Sequence, residues 1–178
     1  PIFSVTRIEE GRMQIRQSAE LVDEVIKEAL KHTGQSRTGR TIKVEEEDEL
    51  ILAKMDARLI VQVLINLIGN AVKYTPQGTD ITVRVKKEKA ENAERSQVII
   101  SVCDLGNGIP DDRKERVFDM FYTGSDQVAD SRRSLGLGLG LCRSIINAHG
   151  GKIWISDNIP HGAVVTFTLP AEEVALNE

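Results

Sequence analysis

The sequence is poor in cysteine and in long apolar runs, and each of these two shortages excludes a class of protein. It has two cysteines among 178 residues, Cys103 and Cys142, and neither lies in a spacing typical of a disulfide framework or a zinc site. The longest apolar run, Leu59 to Leu67, is too short and too polar to cross a bilayer. Acidic residues outnumber basic ones, with 27 Asp and Glu against 23 Lys and Arg. The net charge of −4 gives no sign of non-specific nucleic-acid binding, and we expect no nucleic-acid partner.

The remaining composition is that of an ordinary soluble globule, with 40% apolar residues. We expect both cysteines to be reduced core residues. The chain begins in mid-pattern at Pro1 without a signal peptide, which indicates a piece cut from a longer protein. We expect residues 1–15 to be the tail of a preceding helix, residues 16–172 to form the main domain, and residues 173–178 to be a C-terminal tail.

Hydrophobic periodicity predicts the secondary structure. Candidate helices run from an N-cap at Ser18 to about Lys31, from Asp56 to Thr75, from Pro110 to Phe118 and from Leu137 to Ala148; candidate strands are Thr41–Glu46, Glu49–Lys54, Asp80–Lys87, Gln97–Asp104, Lys152–Ser156 and Ala163–Leu169. Strands and helices mix without strict alternation. We therefore expect an α+β fold, a two-layer α/β sandwich in which a mixed sheet of about five strands carries about three helices on one face.

The helix predicted from Asp56 to Thr75 has one apolar face and one unusual polar face. Its apolar stripe consists of Leu59, Ile60, Val63, Leu64, Leu67, Ile68, Ala71 and Val72. Asn66, Asn70 and Lys73 fall within roughly 60° of one another on the opposite side. A merely solvated face is the simpler interpretation, but Asn, Gly and Asn together cost about 2 kcal/mol against alanine in a helix interior. Amide oxygens suit Mg²⁺ and lysine suits phosphate, so we favour a magnesium-nucleotide site here.

Two glycine motifs extend this hypothesis. Asp104, Gly106 and Gly108 follow a predicted strand, either as a tight turn that needs positive φ or as a pocket in which the carboxylate accepts a hydrogen bond from an adenine-like amine. Gly136, Gly138 and Gly140 alternate with leucines where a polar segment meets a helix. Helix N-termini are natural phosphate sites, although a flexible hinge with apolar anchors would show the same pattern. The spacing fits neither a P-loop nor a Rossmann turn.

The segment between these motifs has the composition of a mobile lid. The aromatic cluster at residues 118–122 precedes a polar stretch, residues 124–134, and we expect it to be part of the core and also to anchor the lid. Arg132 and Arg133 are either surface residues or carriers of positive charge to terminal phosphates. Among the three histidines His149 is nearest to the second glycine motif, and we expect it to be structural rather than catalytic.

Four stretches follow one another along the chain: the polar helix, the Asp104 motif, the aromatic cluster and the second glycine motif. In this order they resemble the ATP-binding catalytic domain of sensor histidine kinases, within the ATPase group shared with gyrase B, Hsp90 and MutL. The matching boxes are Asn66–Thr75, Asp104–Gly108, Phe118–Phe121 and Gly136–Gly140, and residues 162–170 look like the family's final strand. The resemblance covers residues 18–170 and implies the Bergerat-type ATP-binding fold. Residues 134–151 and the turn at 160–163 look most like potassium-responsive Kdp-type sensor kinases.

The resemblance implies roles for individual residues. The catalytic set would be Asn66, Asn70 and Lys73, with Asn70 as the ligand of Mg²⁺ and Tyr74 beside Lys73 near the phosphates. Asp104 would read adenine. The remaining ATP contacts would be Gly106, Gly108, Ile109, Phe121, Arg132, Arg133, Gly136, Leu137, Gly138, Leu139, Gly140, Leu141 and Thr166, with Tyr122 to Leu135 as the ATP lid.

The resemblance also implies partners that the chain itself does not contain. The phosphate acceptor would be a histidine on a separate helical hairpin of the same full-length protein, and a response regulator receiver domain would take the phosphate next. The full-length protein would be a dimeric, membrane-anchored bacterial sensor, with this piece as a monomeric cytoplasmic domain. The family's acceptor motif is absent, so we expect no self-phosphorylation.

Two departures from the family and two alternative functions stay open. Thr123 stands where the family often has arginine, and Ala163 stands where the final strand usually has threonine. A non-catalytic nucleotide-binding module is the main alternative to a kinase. A hydrolytic relative ranks lower, because such proteins carry glutamate at the position of Asn66 and an amide is a poor general base.

Overall fold

The computed structural model describes residues 14–33, 41–46, 50–89, 96–119 and 133–172, with the backbone alone for residues 133–137. The strands are β1 (Ser18–Leu21), β2 (Ile42–Glu46), β3 (Leu52–Met55), β4 (Ile81–Lys89), β5 (Ser96–Cys103), β6 (Ile153–Asp157) and β7 (Ala163–Glu172). The helices are α1 (Val22–Thr33), α2 (Ala57–Lys73) and α3 (Arg133–Ala148), with 3-10 turns at Asp111–Arg113 and Arg116–Phe118. Residues 1–13 and 173–178, which hold most of the two expected tails, lie outside these ranges.

The strands form one mixed sheet in the order β1-β3-β7-β5-β4-β2, and β6 also pairs with β7. The β2–β4 pair is parallel and the other pairs are antiparallel. The predicted mixed α+β architecture is confirmed, with seven strands in the described ranges rather than about five. The long strand β7 pairs with three others, so it joins the two halves of the sheet.

Alternation along the central strands places the core between one sheet face and the helices. Val85, Ile100 and Phe167 lie side by side in the register, and all three are buried. The core also contains residues of all three helices, which therefore share that face of the sheet. No helix within the described ranges is long and apolar enough to span a membrane.

Helix α2 follows its predicted pattern closely. Its buried residues are Ile60, Val63, Leu64, Leu67, Ile68 and Ala71, and Leu59 and Val72 pack against the same cluster. Asp56 occupies the N-cap position, and the helix ends where the Tyr74 N–H donates to the Asn70 carbonyl. The apolar stripe thus fixes which face of the helix remains available to a ligand.

The two cysteines are free and buried, as expected. Cys103 ends β5 and Cys142 lies within α3. Burial raises the pKa of both thiols, that of Cys142 to about 12. Both sulfurs therefore remain protonated at neutral pH and act as small apolar groups.

Three local predictions are corrected. Ser18 does not cap a helix: it begins strand β1, and its hydroxyl donates to the Glu20 carboxylate at 2.6 Å. Residues 110–118 form two 3-10 turns rather than one helix. Helix α3 begins at Arg133, so the second glycine motif lies inside the helix rather than ahead of it.

Candidate functional site

The polar face of α2 forms one wall of the candidate site. Asn66 and Asn70 are half-buried, whereas Lys73 and Tyr74 are exposed. The Lys73 ammonium lies 5.5 Å from the centroid of the Tyr74 ring. Within the part of the chain that the structure describes, the Asn70 side-chain amide makes no hydrogen bond, so its oxygen is available to a ligand.

The same face of α2 is open at Gly69. A methyl group built on Gly69 would have no heavy atom within 4 Å among the described residues. Glycine in a helix interior costs about 1 kcal/mol relative to alanine, and no packing contact in these ranges requires it. At 100° per residue Gly69 is next to Lys73 on the helix surface, and its lack of a side chain leaves the helix backbone open to a ligand there.

Asn66 faces helix α3. Its Nδ2 donates to the Cys142 Sγ at 3.6 Å, and a methyl group built on Gly138 would lie 3.6 Å from the same nitrogen. The structure thus brings the first asparagine and the middle glycine of the second motif together. Of the leucines predicted to line the phosphates, Leu139 is buried in the core and Leu141 packs against it.

The Asp104 turn forms a second wall. The half-buried Asp104 carboxylate accepts two backbone hydrogen bonds on Oδ1, from Gly106 at 2.9 Å and from Ala163 at 3.1 Å. Among the described residues its other oxygen, Oδ2, has no hydrogen-bond partner. The carboxylate is therefore held in one orientation with one oxygen available, which is the arrangement needed to accept a hydrogen bond from a ligand amine.

The two walls meet at Gly106. A methyl group built there would lie 2.7 Å from the Thr75 Cγ2 and 3.3 Å from the Tyr74 carbonyl oxygen. Only glycine lets the Asp104 turn approach the end of α2 this closely. Two motifs that the sequence separates by about thirty residues are thus adjacent, and Asn70 lies one helical turn before the point of contact.

The geometry of the Asp104 turn also explains why its motif has a second glycine, Gly108. Gly108 has φ of +75°, and a methyl group there would lie 3.1 Å from the Gly162 carbonyl oxygen. The tight-turn interpretation of this motif is therefore correct, and it is compatible with the pocket interpretation. Ile109 is half-buried and packs against the core beside the turn.

Sequence reasoning missed the residues that hold this turn from the other side. The side chain of Asn158 donates to the Asp104 carbonyl, and His161 donates to the Gly106 carbonyl. The only local signal was the turn composition of residues 160–162, and that composition does not indicate which segment the turn contacts.

Arg143 of α3 is a third residue that sequence reasoning missed. Its guanidinium lies 4.3 Å from the centroid of the buried Phe118 ring and 2.7 Å from the Glu115 carboxylate. The ion pair lowers the pKa of Glu115. This contact fastens Phe118, the first residue of the aromatic cluster, to α3.

Phe121, Arg132 and most of the predicted lid lie outside the described residues, and Arg133, Gly136 and Leu137 are described by their backbone alone.

Among the described residues, the Thr166 side chain contacts Ser101 rather than another predicted site residue. Its hydroxyl is 2.9 Å from that of Ser101, its neighbour in the register. Both residues alternate with the core-facing Ile100 and Phe167, so they lie on the sheet face away from the helices.

A family model described as histidine kinase-, DNA gyrase B- and HSP90-like ATPase matches residues 55–173. This range includes both walls of the site. The chain belongs to this ATPase family. Within it, the chain is an ATP-binding domain of the sensor histidine kinase type, as its relatives show.

One similar protein is the sensor protein KdpD of Clostridium acetobutylicum, to which this chain is 38% identical over 171 residues. The match covers 96% of this chain and 18% of that protein's length. The nucleotide-free catalytic domain of histidine kinase ThkA is 31% identical with a TM-score of 0.72, over 88% of this chain and 96% of that one. A ThkA structure in complex with response regulator protein TrrA is 28% identical with the same TM-score, over 96% of this chain and 47% of that one.

Proposed function

We propose that this domain binds magnesium-ATP and transfers the γ-phosphate to a histidine on a separate helical hairpin. The observation that carries the proposal is the junction of the two walls at Gly106. There the turn that contains Asp104 contacts the end of α2, one helical turn after Asn70, and each of these two side chains has an oxygen that no described residue uses. Base recognition at one wall and phosphate chemistry at the other fit a nucleotide lying across the junction.

The residues of α2 suit the phosphate end. Asn70 would supply an oxygen ligand to Mg²⁺, and the exposed Lys73 would contact phosphate oxygens. When bound, the ion would neutralise charge on the transferring phosphoryl group. The chain's own part is to position the nucleotide and to supply fixed positive charge, since phosphoryl transfer needs little covalent help from a protein.

The donor set fits a magnesium ion that arrives with its nucleotide. Among the described residues no three His, Cys, Asp or Glu side chains are grouped as a metal site. Mg²⁺ commonly keeps several waters and binds through one or two protein ligands plus substrate phosphates. A single amide on an open helix face is consistent with that mode of binding.

The partners follow from the similarity to sensor kinases. The acceptor is proposed to be a histidine hairpin of the same full-length protein, followed by a response regulator receiver domain. The structure of ThkA in complex with response regulator protein TrrA supports a response regulator as a partner. Similarity to sensor protein KdpD supports a Kdp-type, potassium-responsive assignment for the whole protein. That whole protein is proposed to be dimeric and membrane-anchored, with this domain on the cytoplasmic side.

The decisive test adds a separately produced acceptor hairpin and γ-labelled ATP to the purified chain. Label on the hairpin, dependent on Mg²⁺, is the expected result. Tight ATP binding without transfer would contradict kinase activity and support a non-catalytic nucleotide-binding module. Robust ATP hydrolysis by the chain alone would instead support a hydrolytic relative. That result is not expected, because the amide of Asn66 is a poor general base.

A further inference from the structure

The turn that joins β6 to β7, residues 158–162, contacts the Asp104 turn through two side chains. The Nδ2 of Asn158 donates to the Asp104 carbonyl at 2.7 Å, and the Nδ1 of His161 donates to the Gly106 carbonyl at 2.9 Å. The Asn158 amide oxygen accepts the Ile159 N–H at 2.8 Å, so this side chain is fixed at both ends.

The backbones of the two turns are also in close contact. Gly162 has φ of +113°, and a methyl group built on it would lie 2.0 Å from the Asp104 carbonyl oxygen and 3.0 Å from the Leu105 Cα. The Gly162 carbonyl closes its own turn by accepting the Asn158 N–H at 2.9 Å. Such an approach leaves no space for any other residue at this position.

An ion pair holds the end of β6, the strand that leads into this turn. The Lys114 ammonium lies 2.9 Å from the Asp157 carboxylate at the end of β6, and it also pairs with Asp111. Lys114 is mostly covered, with 17% of its side chain exposed. The segment that follows the Asp104 turn is therefore joined to the strand that leads into residues 158–162.

These contacts determine how the Asp104 carboxylate is presented. Its Oδ1 is held by two backbone N–H groups, one of which belongs to Ala163, the first residue after the turn. Its main-chain carbonyl is held by Asn158. Both ends of the aspartate are thus positioned by residues 158–163, and Oδ2 is the oxygen that no described residue uses.

From this geometry we propose that Asn158 and His161 are positioning residues for nucleobase selection. They hold the Asp104 and Gly106 peptide groups so that Oδ2 faces the exocyclic amine of an adenine-type base. The inference rests on the proposed function, in which Asp104 reads the base. A carboxylate held in place before binding discriminates between bases without a reorganisation cost, and loosening it weakens the correct base more than the wrong one.

The test compares the magnesium-dependent binding of ATP and GTP, by calorimetry, to the parent chain and to His161→Ala and Asn158→Ala. Each variant is expected to bind ATP about 2- to 10-fold more weakly, the range for one lost hydrogen bond, with a smaller change for GTP. His161→Asn retains a donor near the Nδ1 position and is expected to restore selectivity. His32→Ala removes an exposed imidazole on α1, which pairs with Glu28, and serves as the matched control.

Asp104→Ala separates the inference from the proposal on which it rests. Should Asp104→Ala lose ATP selectivity while His161→Ala and Asn158→Ala keep that of the parent, the positioning role is overturned and the proposed function stands. Should the parent bind no ATP, both are overturned. Equal losses for ATP and GTP with a lowered melting temperature would show a purely structural role and would also overturn the inference.

Discussion

The Nε2 of His149 accepts the backbone N–H of Asp56 at 3.0 Å, although 93 residues separate the two. Its Nδ1 donates to the Ile145 carbonyl at 2.8 Å. The imidazole is 2% exposed, and burial lowers its pKa. Because one nitrogen must accept and the other must donate, the ring is neutral and joins the start of α2 to the end of α3. His149 is therefore structural, as the sequence analysis expected.

His149→Ala is expected to destabilise the domain by about 2–4 kcal/mol, because it leaves a cavity and a buried N–H of Asp56 without a partner. Urea unfolding followed by circular dichroism measures the change. His32→Ala, which removes an exposed imidazole, is the control and is expected to cost less than about 0.5 kcal/mol. Equal losses in the two variants would contradict the role of His149.

Stability is expected to fall as the pH is lowered from about 6.5, the ordinary pKa of histidine. The unfolded chain then binds a proton at His149 that the native chain does not, because burial lowers the native pKa. The carboxylate of Asp56 adds a second loss of stability only below pH 3.8, which is its ordinary pKa. Burial alone would raise the pKa of Asp56, but hydrogen bonds from Arg58 and the Arg16 N–H outweigh burial and lower it. Unfolding free energies of the parent and His149→Gln between pH 7.5 and 5.5 test the first loss. The prediction would be contradicted if the unfolding free energy of the parent fell with pH no more steeply than that of His149→Gln.

Asn70→Ala is expected to remove most of the magnesium dependence of ATP binding and to leave the fold intact. The side chain makes no hydrogen bond within the described ranges, so its loss costs little stability. We expect affinity with Mg²⁺ to fall about ten-fold, equivalent to about 1.4 kcal/mol, while affinity in EDTA stays unchanged. Asn147→Ala, an exposed asparagine on α3, is the matched control. Unchanged magnesium dependence in Asn70→Ala would refute the metal role.

Gly69→Ala is expected to raise the free energy of unfolding by about 0.8–1.0 kcal/mol, the helix propensity difference, because its methyl group meets no heavy atom within 4 Å among the described residues. Gly151→Ala is the contrasting variant, since its methyl group would lie 1.9 Å from the Thr168 carbonyl oxygen. We expect it to destabilise the domain. Thermal unfolding of both distinguishes open space from close packing, and a destabilised Gly69→Ala would show that this space is not open.

Arg143→Ala is expected to cost about 1 kcal/mol, mainly through lost stacking on Phe118. The Glu115 partner is 77% exposed, so the ion pair itself contributes little. Arg84→Ala breaks an ion pair with Glu45 in which both side chains are more than half exposed. It is the control, and we expect a cost below about 0.5 kcal/mol. Equilibrium unfolding that ranks Arg84→Ala as the costlier change would disprove the stacking account.

Helix α2 could be predicted from the sequence because its information is local. An apolar stripe at helical spacing specifies both the element and its buried face, and the polar row of Asn66, Asn70 and Lys73 follows from that face. The Asp104 turn was also visible, since its glycines mark positions where a side chain cannot fit.

Strand β1 and the start of α3 could not be predicted from the local sequence. Ser18 precedes a helical stripe and looks like a cap, but residues 18–21 pair with β3, more than thirty residues away. The glycines of α3 disfavour a helix individually, yet they lie within it where α3 packs against α2. In both cases tertiary contacts override propensity.

The positions of Thr166 and His161 show two further limits. Thr166 alternates with Val165 and Phe167, and this alternation alone indicates that it lies on the other sheet face, so strict use of the strand period would have excluded it. The contact of His161 with Gly106 is different, because it joins segments 55 residues apart and no local pattern encodes it.

Strand β7 follows every other strand along the chain, yet it lies between β3 and β5 in the sheet and supplies the Ala163 N–H that holds Asp104. A ribosome must therefore translate nearly all of these residues before the sheet can close. Until then β3, β5 and β6 lack the partner strand β7, and the Asp104 carboxylate lacks the Ala163 N–H. If Asp104 reads the base as proposed, we expect a product truncated ahead of Ala163 to lose this anchor and to bind ATP poorly.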